Sequence, residues 1–237
     1  KDVHFSEEKS HIDTFDVKQQ IPFEDISPKE KLQVLFDIEK EIAATNLNVP
    51  GRYLSLSDFT TEKYFVNSQG TKIKSKIPGA EYFFFVTVKQ NGESTQRYWQ
   101  YGGTGGFETV TNFNLPTLMQ NEVTTMARMM REGTKPPQNK IDIVVAPQLV
   151  GIMVHESVGH PHEADRIYGR EAAQAGESYL TEEMFGKRIG NDGVNLSDDP
   201  TIPNSFGHYL YDDEGVPARK KELVKEGMNK ELLHNRE

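Results

Sequence analysis

The sequence predicts an α+β fold, in which an antiparallel sheet meander packs on helices and is followed by a metal-motif helix and short strands. The prediction depends on a helical pattern at residues 28–45, alternating and aromatic-rich stretches at 52–101, and a second helical pattern at 115–131. Strands that are grouped together and flanked by helices are typical of an α+β domain. We assign 1–135 to part of an N-terminal α+β domain and 139–237 to the start of a second domain.

The first helix is marked by its N-terminal residues. Ser27 is a good N-cap, Pro28 suits the first helical position, and Glu30 stands where it completes a capping box. An apolar stripe at helical spacing then runs to about residue 45, and it consists of Leu32, Leu35, Phe36, Ile38 and Ile42. These features predict a helix at 28–45 with one face turned to a core.

The meander is predicted from alternation and from turn residues. Asn91-Gly92 is a strong hairpin signal between two strand-like stretches. The strand-like stretches are 53–59, 64–66, 72–77, 81–89 and 97–101. The glycine-rich stretch at 101–106 lacks the Gly-Lys-Ser/Thr of a phosphate-binding P-loop, so we interpret it as a flexible loop.

A second helix follows the meander and leads to a connector. Apolar residues recur between 115 and 131, and we interpret the methionines among them as core filler rather than as a soft-metal site. They are Leu118, Val123, Met126, Met129 and Met130. The connector at 133–138 contains Pro136-Pro137, and we place the domain boundary there.

The second domain begins with short elements. Pro147 suits a first helical position, so we predict a strand at 141–145 and a helix at 148–159 that carries the metal motif. A further helix is expected at 164–175. Loops and short strands follow, at 189–194, 209–212 and 222–227, with a turn at Glu214-Gly215.

The composition excludes several classes of protein. Lys and Arg number 27 against 36 Asp and Glu, a formal charge of −9, so no nucleic-acid partner is expected. The chain contains no Cys, which excludes a disulfide framework or a Cys-based zinc knuckle within these residues. The longest apolar runs, 82–86 and 149–154, are too short to span a bilayer, so no membrane partner is expected either.

One stretch indicates metal chemistry, and it reads His155-Glu156-Ser157-Val158-Gly159-His160. Imidazole is a good zinc ligand, and a carboxylate beside a metal can take a proton from water. The spacing is one residue longer than in the H-E-x-x-H motif, and residues five apart on a regular helix point about 140° apart. The histidines can meet only if the helix forms a π-bulge or ends before His160, and Gly159 and Pro161 favour such a distortion.

The spacing leaves two questions open. The two histidines could be an accidental surface pair, and a catalytic zinc site usually has three protein ligands. Further ligands could come from several side chains, among which spacing does not choose: His162, Glu163, Asp165 and His208. Glu163 and Asp165 could instead accept hydrogen bonds from the ligand imidazoles, or be solvated helix carboxylates.

Residues 151–165 resemble the H-E-x-x-x-H segment of the TldD/PmbA metalloprotease family. Residues 211–217 are similar to its D-D-E-G-x-P turn, 232–237 to its segment ending in Arg-Glu, and 67–70 to its N-S-x-G hairpin. The resemblance covers most of the chain, and the H-E-x-x-x-H block is its most specific part. It makes 139–237 the start of a metalloprotease domain.

The resemblance implies a zinc-dependent peptidase that hydrolyses short or unfolded peptides. His155 and His160 are then the metal ligands, and Glu156 is the general base that activates water. Because PmbA-type subunits generally lack the H-E-x-x-x-H residues, the chain resembles the catalytic TldD-type subunit. Family members dimerise in the cytoplasm, so we expect unstructured peptides as substrates and an identical or related subunit as partner.

The third ligand is the point at which the sequence departs from the family. In the family it is a Cys far downstream, whereas these residues contain no Cys. The resemblance therefore implies an internal portion of a longer protein, so that the site within these residues is incomplete. The alternative is a complete chain in which Glu163 or His208 takes the place of the Cys.

Two other functions are compatible with the same residues. A non-catalytic regulatory or protein-binding member of the family would use the fold for interaction alone. A metal-dependent hydrolase of a non-peptide bond would keep the metal site and act on another substrate. Glu156→Ala separates the peptidase from the first alternative, and a peptide library separates it from the second.

Overall fold

The computed structural model describes residues 4–170 and 176–237, which form two compact units. We call the first the sheet unit, and it comprises residues 11–138 and 203–208. We call the second the motif unit, and its described residues are 4–10, 139–170, 176–202 and 209–237. Helices and sheets together confirm the α+β class that the sequence predicts.

A four-stranded sheet organises the sheet unit around a long central strand. The strands are β1 (Ile12–Asp16), β2 (Gly51–Val66), β3 (Lys72–Gln90) and β4 (Glu93–Thr104). β2 runs antiparallel to β3 along one side. On the other side, β1 pairs in parallel with the first part of β3 and β4 pairs antiparallel with the remainder. The predicted meander thus corresponds to β2, β3 and β4.

Two pairs of predicted stretches are in fact single strands. The stretches 53–59 and 64–66 both lie in β2, and β3 continues through Pro78-Gly79. A Cβ at Gly79 would lie 2.8 Å from the Gly103 carbonyl oxygen and 2.7 Å from the Phe59 ring, so close backbone approach explains the glycine. The hairpin signal is confirmed, since Asn91 and Gly92 have φ values of 52° and 84° between β3 and β4.

The core of the sheet unit lies between one face of the sheet and its helices. These are α1 (Pro28–Ala44), α2 (Glu108–Phe113) and α3 (Leu115–Glu132). Alternate residues of β3 point to one face of a strand, and those on the core face are fully buried: Tyr82, Phe84, Val86 and Val88. They belong to the same cluster as Ile38 and Ile42 of α1 and Met119 and Val123 of α3.

The local signals for the start of α1 describe what forms, although Leu32 and Phe36 of its predicted apolar stripe are exposed. Ser27 Oγ accepts the Glu30 N–H at 3.3 Å, and Glu30 Oε2 accepts the Ser27 N–H at 2.9 Å, which completes the capping box. Asn114, with φ of 49°, separates α2 from α3. Met126 is buried in the core cluster and Met130 packs against it, as core filler would, whereas Met129 is 56% exposed and the prediction is wrong for it.

The prediction of a flexible loop at 101–106 is wrong. β4 extends to Thr104, and the four residues from Gly103 to Gly106 are buried. A Cβ at Gly106 would lie 2.2 Å from the Ile21 carbonyl oxygen. Glu108 also accepts the Gly106 N–H at 2.7 Å and the Ile21 N–H at 2.9 Å. The glycines therefore permit close packing between segments rather than mobility.

The motif unit has short elements and a small sheet. Its helices are α4 (Pro147–Val154) and α5 (Ala164–Ile167), and its antiparallel strands, in spatial order, are β5 (Leu196–Asp198), β6 (Lys221–Lys225) and β7 (Met228–Asn229). Of the short strands predicted, 222–227 overlaps β6. At 209–212, Tyr211 forms an isolated bridge with Pro217. None of the helices described here has the length and apolar character needed to cross a bilayer.

Two other predictions for the motif unit differ from the structure. Residues 141–145, all of them described, form no strand, and Val144 is fully exposed because no described strand pairs with this apolar run. The helix predicted at 164–175 ends at Ile167, where Tyr168 and then Gly169, with φ of 67°, leave the helical conformation. Residues 171–175 of that prediction lie outside the described residues.

Candidate metal centre

The segment that carries the motif forms a π-helical turn. α4 ends at Val154, and the turn covers His155–Gly159, where the His160 N–H donates to the His155 carbonyl oxygen. A bond between residues five apart widens the helix and brings His155 and His160 to one side. Their ring centroids lie 4.3 Å apart. Of the two distortions that the spacing allows, the π-bulge is the one that forms.

Three side chains of this turn come together. The metal-binding atoms of His155, Glu156 and His160 lie within 4.8 Å of one another, the first two side chains exposed and the third half-buried. Among the described residues, no other group of three or more His, Asp or Glu side chains lies close enough together to hold one ion. The two imidazoles suit zinc, for which neutral imidazole is a good ligand, and the carboxylate lies close enough to act as a base beside it. The donor set therefore fits the metal that the sequence predicts.

Gly159 and Pro161, which were expected to favour the distortion of the helix, have different roles in the structure. Gly159 has φ of −56°, and a Cβ there would meet only the Val154 carbonyl oxygen, at 3.9 Å. Glycine is thus not required sterically at this position. Pro161 is buried in the tight turn His160–His162, so the helix changes direction at the proline.

Glu163 contacts the second histidine of the motif. Its Oε1 lies 2.7 Å from His160 Nδ1, and its Oε2 accepts a hydrogen bond from Arg166 Nε. Partial burial would raise the pKa of Glu163, but the hydrogen bonds from Arg166 and His160 outweigh it and hold the pKa below its usual value. An ionised carboxylate on Nδ1 leaves His160 Nε2 as the nitrogen available to a metal.

Asp165 has a different environment from Glu163. Its Oδ1 accepts the Arg166 backbone N–H at 2.9 Å, within the first turn of α5. In the hydrogen bonds found among the described residues, this carboxylate therefore stabilises a helix start, whereas Glu163 contacts the candidate ligand.

His162 lies two residues beyond His160 but inside the protein. It is fully buried, with Nδ1 2.6 Å from the Val158 carbonyl oxygen and Nε2 2.7 Å from Asn229 Oδ1. Because both ring nitrogens have protein partners, we exclude His162 from the possible metal ligands. His208 belongs to the sheet unit. The sequence shows no periodicity that would have indicated the burial of His162.

Backbone contacts connect the turn to the last described residues. The Leu233 N–H donates to the His162 carbonyl oxygen and the Ala164 N–H donates to the Leu233 carbonyl oxygen, both at 2.8 Å. Further along, the Arg236 N–H donates to Glu214 Oε2 at 2.7 Å. The stretches 211–217 and 232–237, which resemble family segments, thus belong to the framework around the metal turn.

Comparison with known proteins identifies the family of this chain. A model of the PmbA/TldA metallopeptidase central domain matches residues 21–131, and a model of the PmbA/TldA metallopeptidase C-terminal domain matches residues 138–237. The chain belongs to the PmbA/TldD metallopeptidase family. The second model contains the whole of the motif from His155 to His160.

Relatives in this family are named metalloproteases. A metalloprotease of Methanothermobacter thermautotrophicus is 32% identical over 237 residues, which is 100% of this chain and 50% of that protein. A zinc metalloprotease TldD homolog of Saccharolobus solfataricus is 24% identical over 209 residues, 88% of this chain and 45% of that protein. The chain spans about half the length of the curated relatives that it matches. Their names support a metalloprotease at the level of the family.

Solved structures share the fold. A protein from Bacteroides thetaiotaomicron, proposed to modulate DNA gyrase, superposes with a TM-score of 0.68 at 16% identity, over 90% of this chain and 47% of that one. TldE from Thermococcus kodakarensis gives 0.63 at 15% identity, over 98% of this chain and 48% of that one. At such low identity the likeness concerns the fold alone.

Proposed function

We propose that this chain carries the metal-binding turn of a zinc-dependent peptidase that hydrolyses short or unfolded peptides. The observation that supports the proposal is the π-turn, which brings His155, Glu156 and His160 together. The zinc metalloprotease name of the Saccharolobus solfataricus relative supports the choice of metal.

The roles of the residues follow from their chemistry and their contacts. His155 and His160 hold the metal, His160 through Nε2 because Glu163 occupies Nδ1. Bound zinc would supply a Lewis acid that polarises a carbonyl group and makes water more acidic. Glu156, which is exposed beside both imidazoles, takes a proton from water and delivers it to the leaving amine.

Two imidazoles are fewer than the three protein ligands of a usual catalytic zinc site. Glu163 is engaged by His160 and Arg166, and His162 is buried, so neither is our choice for a third ligand. We therefore propose that another part of the full-length protein completes the site, and the family resemblance favours a downstream Cys. The same resemblance is the basis for proposing a dimer with an identical or related subunit, in the cytoplasm.

The test uses the full-length protein that contains this chain. Glu156→Gln should lower the kcat for hydrolysis of an unstructured peptide about 10²- to 10⁴-fold while leaving zinc content and melting temperature unchanged, because a general base contributes to the rate by about that factor. The matched control is Glu183→Gln, an exposed carboxylate of the motif unit, which should keep wild-type kcat.

Four results would contradict the proposal. One is a Glu156→Gln variant as active as the wild type. Another is zinc content that survives replacement of both His155 and His160 by Ala. Cleavage of a non-peptide substrate without any cleavage in a peptide library would favour a different hydrolase, and zinc binding without hydrolysis would favour a regulatory protein.

A further inference from the structure

Arg166 makes a contact that the proposed hydrolysis does not use. Its Nε donates to one carboxylate oxygen of Glu163, and the other oxygen lies 2.7 Å from His160 Nδ1. Glu163 therefore bridges a guanidinium and a candidate metal ligand. The Arg166 side chain is 14% exposed, compared with 56% for Arg170 in its ion pair with Glu237. Water therefore screens the contact of Arg166 less.

The backbones on both sides of this contact are held in place. The Glu163 N–H donates to the His160 carbonyl oxygen at 3.1 Å, which fixes the start of α5. The Arg166 N–H donates to Asp165, and the Arg166 carbonyl oxygen accepts the Ser178 N–H at 3.1 Å. The side chains of Glu163 and Arg166 therefore project from anchored positions one helical turn apart.

The side chain of Glu163 needs a second partner to be held in one orientation. A glutamate has three rotatable side-chain bonds, and this one is 30% exposed, so water could compete for its carboxylate. The guanidinium of an arginine is planar and keeps its charge, which makes it suited to fixing a carboxylate. A carboxylate held against Nδ1 keeps the proton on that nitrogen and leaves Nε2 free of one.

We propose that Arg166 is a positioning residue of the metal centre, which holds Glu163 against His160 Nδ1 and so presents His160 Nε2 to the metal. The inference rests on the proposed function, because it takes His160 to be a ligand. Arg166 acts through Glu163 and touches neither the metal nor the substrate. The pair is visible in the sequence as a carboxylate and an arginine three residues apart, but only the fold shows that His160 shares the carboxylate.

The experiment measures zinc affinity of the full-length protein by competition with a chromophoric chelator. Arg166→Met should weaken zinc binding about 10- to 100-fold, the range found when a hydrogen-bond partner of a metal ligand is removed. Arg166→Lys, which keeps the charge and the apolar stem, should lie between Arg166→Met and the wild type. Arg170→Met is the matched control and should bind zinc as the wild type does, because Arg170 pairs with Glu237 rather than with Glu163.

A double-mutant comparison tests the route through Glu163. Glu163→Ala should weaken zinc binding, and adding Arg166→Met to it should weaken binding no further. The absorption bands of bound Co²⁺ report ligand geometry, and they should change in Arg166→Met but not in Arg170→Met. Both variants should remain folded without metal at the temperature of the assay, as melting curves check, so that a change in the Co²⁺ bands reports the site rather than unfolding.

The outcomes separate this inference from the proposed function. If His160→Ala leaves zinc affinity unchanged, the metal centre itself is wrong and the inference fails with it. If His160→Ala abolishes binding while Arg166→Met and Arg166→Lys bind like the wild type, only the role of Arg166 is overturned. Additive losses in the double variant, or Co²⁺ bands unchanged in Arg166→Met, would also overturn it. If Arg166→Met does not fold, Arg166→Lys carries the same comparisons.

Discussion

Helices α3 and α4 show how differently the two units are stabilised. α3 buries five residues in the core of the sheet unit, whereas α4, although it is the more apolar of the two, buries none. Leu149 and Met153 of α4 are each 52% exposed. The metal turn that continues α4 is instead fixed by polar contacts, through His162 and Glu163. Burial of apolar side chains thus stabilises the sheet unit, whereas hydrogen bonds between specific side chains and backbone groups hold the metal turn in place.

The largest loss of stability is expected from a substitution of Phe84, a fully buried residue of β3. Phe84→Ala should lower the free energy of unfolding by about 3–5 kcal/mol, because it removes buried apolar surface and leaves a cavity. Urea unfolding measures the change. The control Phe36→Ala removes a ring from α1 that is 62% exposed and should change stability by about 0.5 kcal/mol or less. Similar losses in the two variants would show that the core does not dominate the sheet unit.

A smaller effect is expected for His162, the buried polar residue of the motif unit. His162→Leu introduces an apolar side chain of similar size and leaves the Val158 carbonyl oxygen and Asn229 Oδ1 without their imidazole partner. The cost should be about 1–3 kcal/mol, as for other buried polar groups left unsatisfied. Hydrogen exchange should become faster at the Leu233 N–H, which donates to the His162 carbonyl oxygen.

The control for His162 is His234, an exposed histidine of the same unit. His234→Leu should change stability by about 0.5 kcal/mol or less, because its ring is in solvent. If His162→Leu were as mild as His234→Leu, apolar packing rather than hydrogen bonding would hold the metal turn, and the contrast between the units would be lost.

The smallest effect is expected for Glu108 of the sheet unit, whose ionisation should make the stability of the protein depend on pH. Partial burial raises the pKa of Glu108, but backbone N–H donors that include those of Gly106 and Ile21 outweigh it and lower the pKa. A carboxyl with a lowered folded-state pKa stabilises the protein above its ordinary pKa, and the contribution is lost as pH falls through the folded-state pKa. Glu108→Gln should therefore lose less stability than the wild type between pH 7 and pH 3.

Thermal unfolding across this pH range measures the Glu108 contribution. Glu93→Gln, which changes an exposed carboxylate of β4, is the matched control and should follow the wild-type curve. A Glu108→Gln curve parallel to the wild type would show that the hydrogen bonds at the buried glycines do not depend on ionised Glu108. Buried polar contacts would then matter in the motif unit alone.

The sequence predicted those elements that are determined by residues close to one another along the chain. The cap of α1 depends on Ser27 and Glu30, three residues apart, and the β3–β4 turn depends on Asn91-Gly92. The conflict between the histidine spacing and the helical period also predicted a distortion at His155–His160. Choosing the π-turn over a helix end required the structure, since both satisfy the same spacing.

Features that depend on distant partners were missed. The glycines at 103–106 look like a flexible loop until Ile21 and Glu108 are seen to pack against them. The apolar run at 141–145 looks like a strand, although no described strand pairs with it. In both cases the pattern within one segment does not show whether another segment packs against it or pairs with it.

The sequence by itself determined the α+β class, through periodicity, and it indicated the family and the three side chains of the candidate metal centre, through a compact motif. Only the tertiary structure decided which neighbouring residues support that centre. Glu163 and His162 are both polar and both lie next to the motif, yet one contacts His160 and the other is buried against Asn229, which is 67 residues away. The physical reason is that hydrogen-bond partners are selected by where the backbone brings them, and spacing along the chain does not record that.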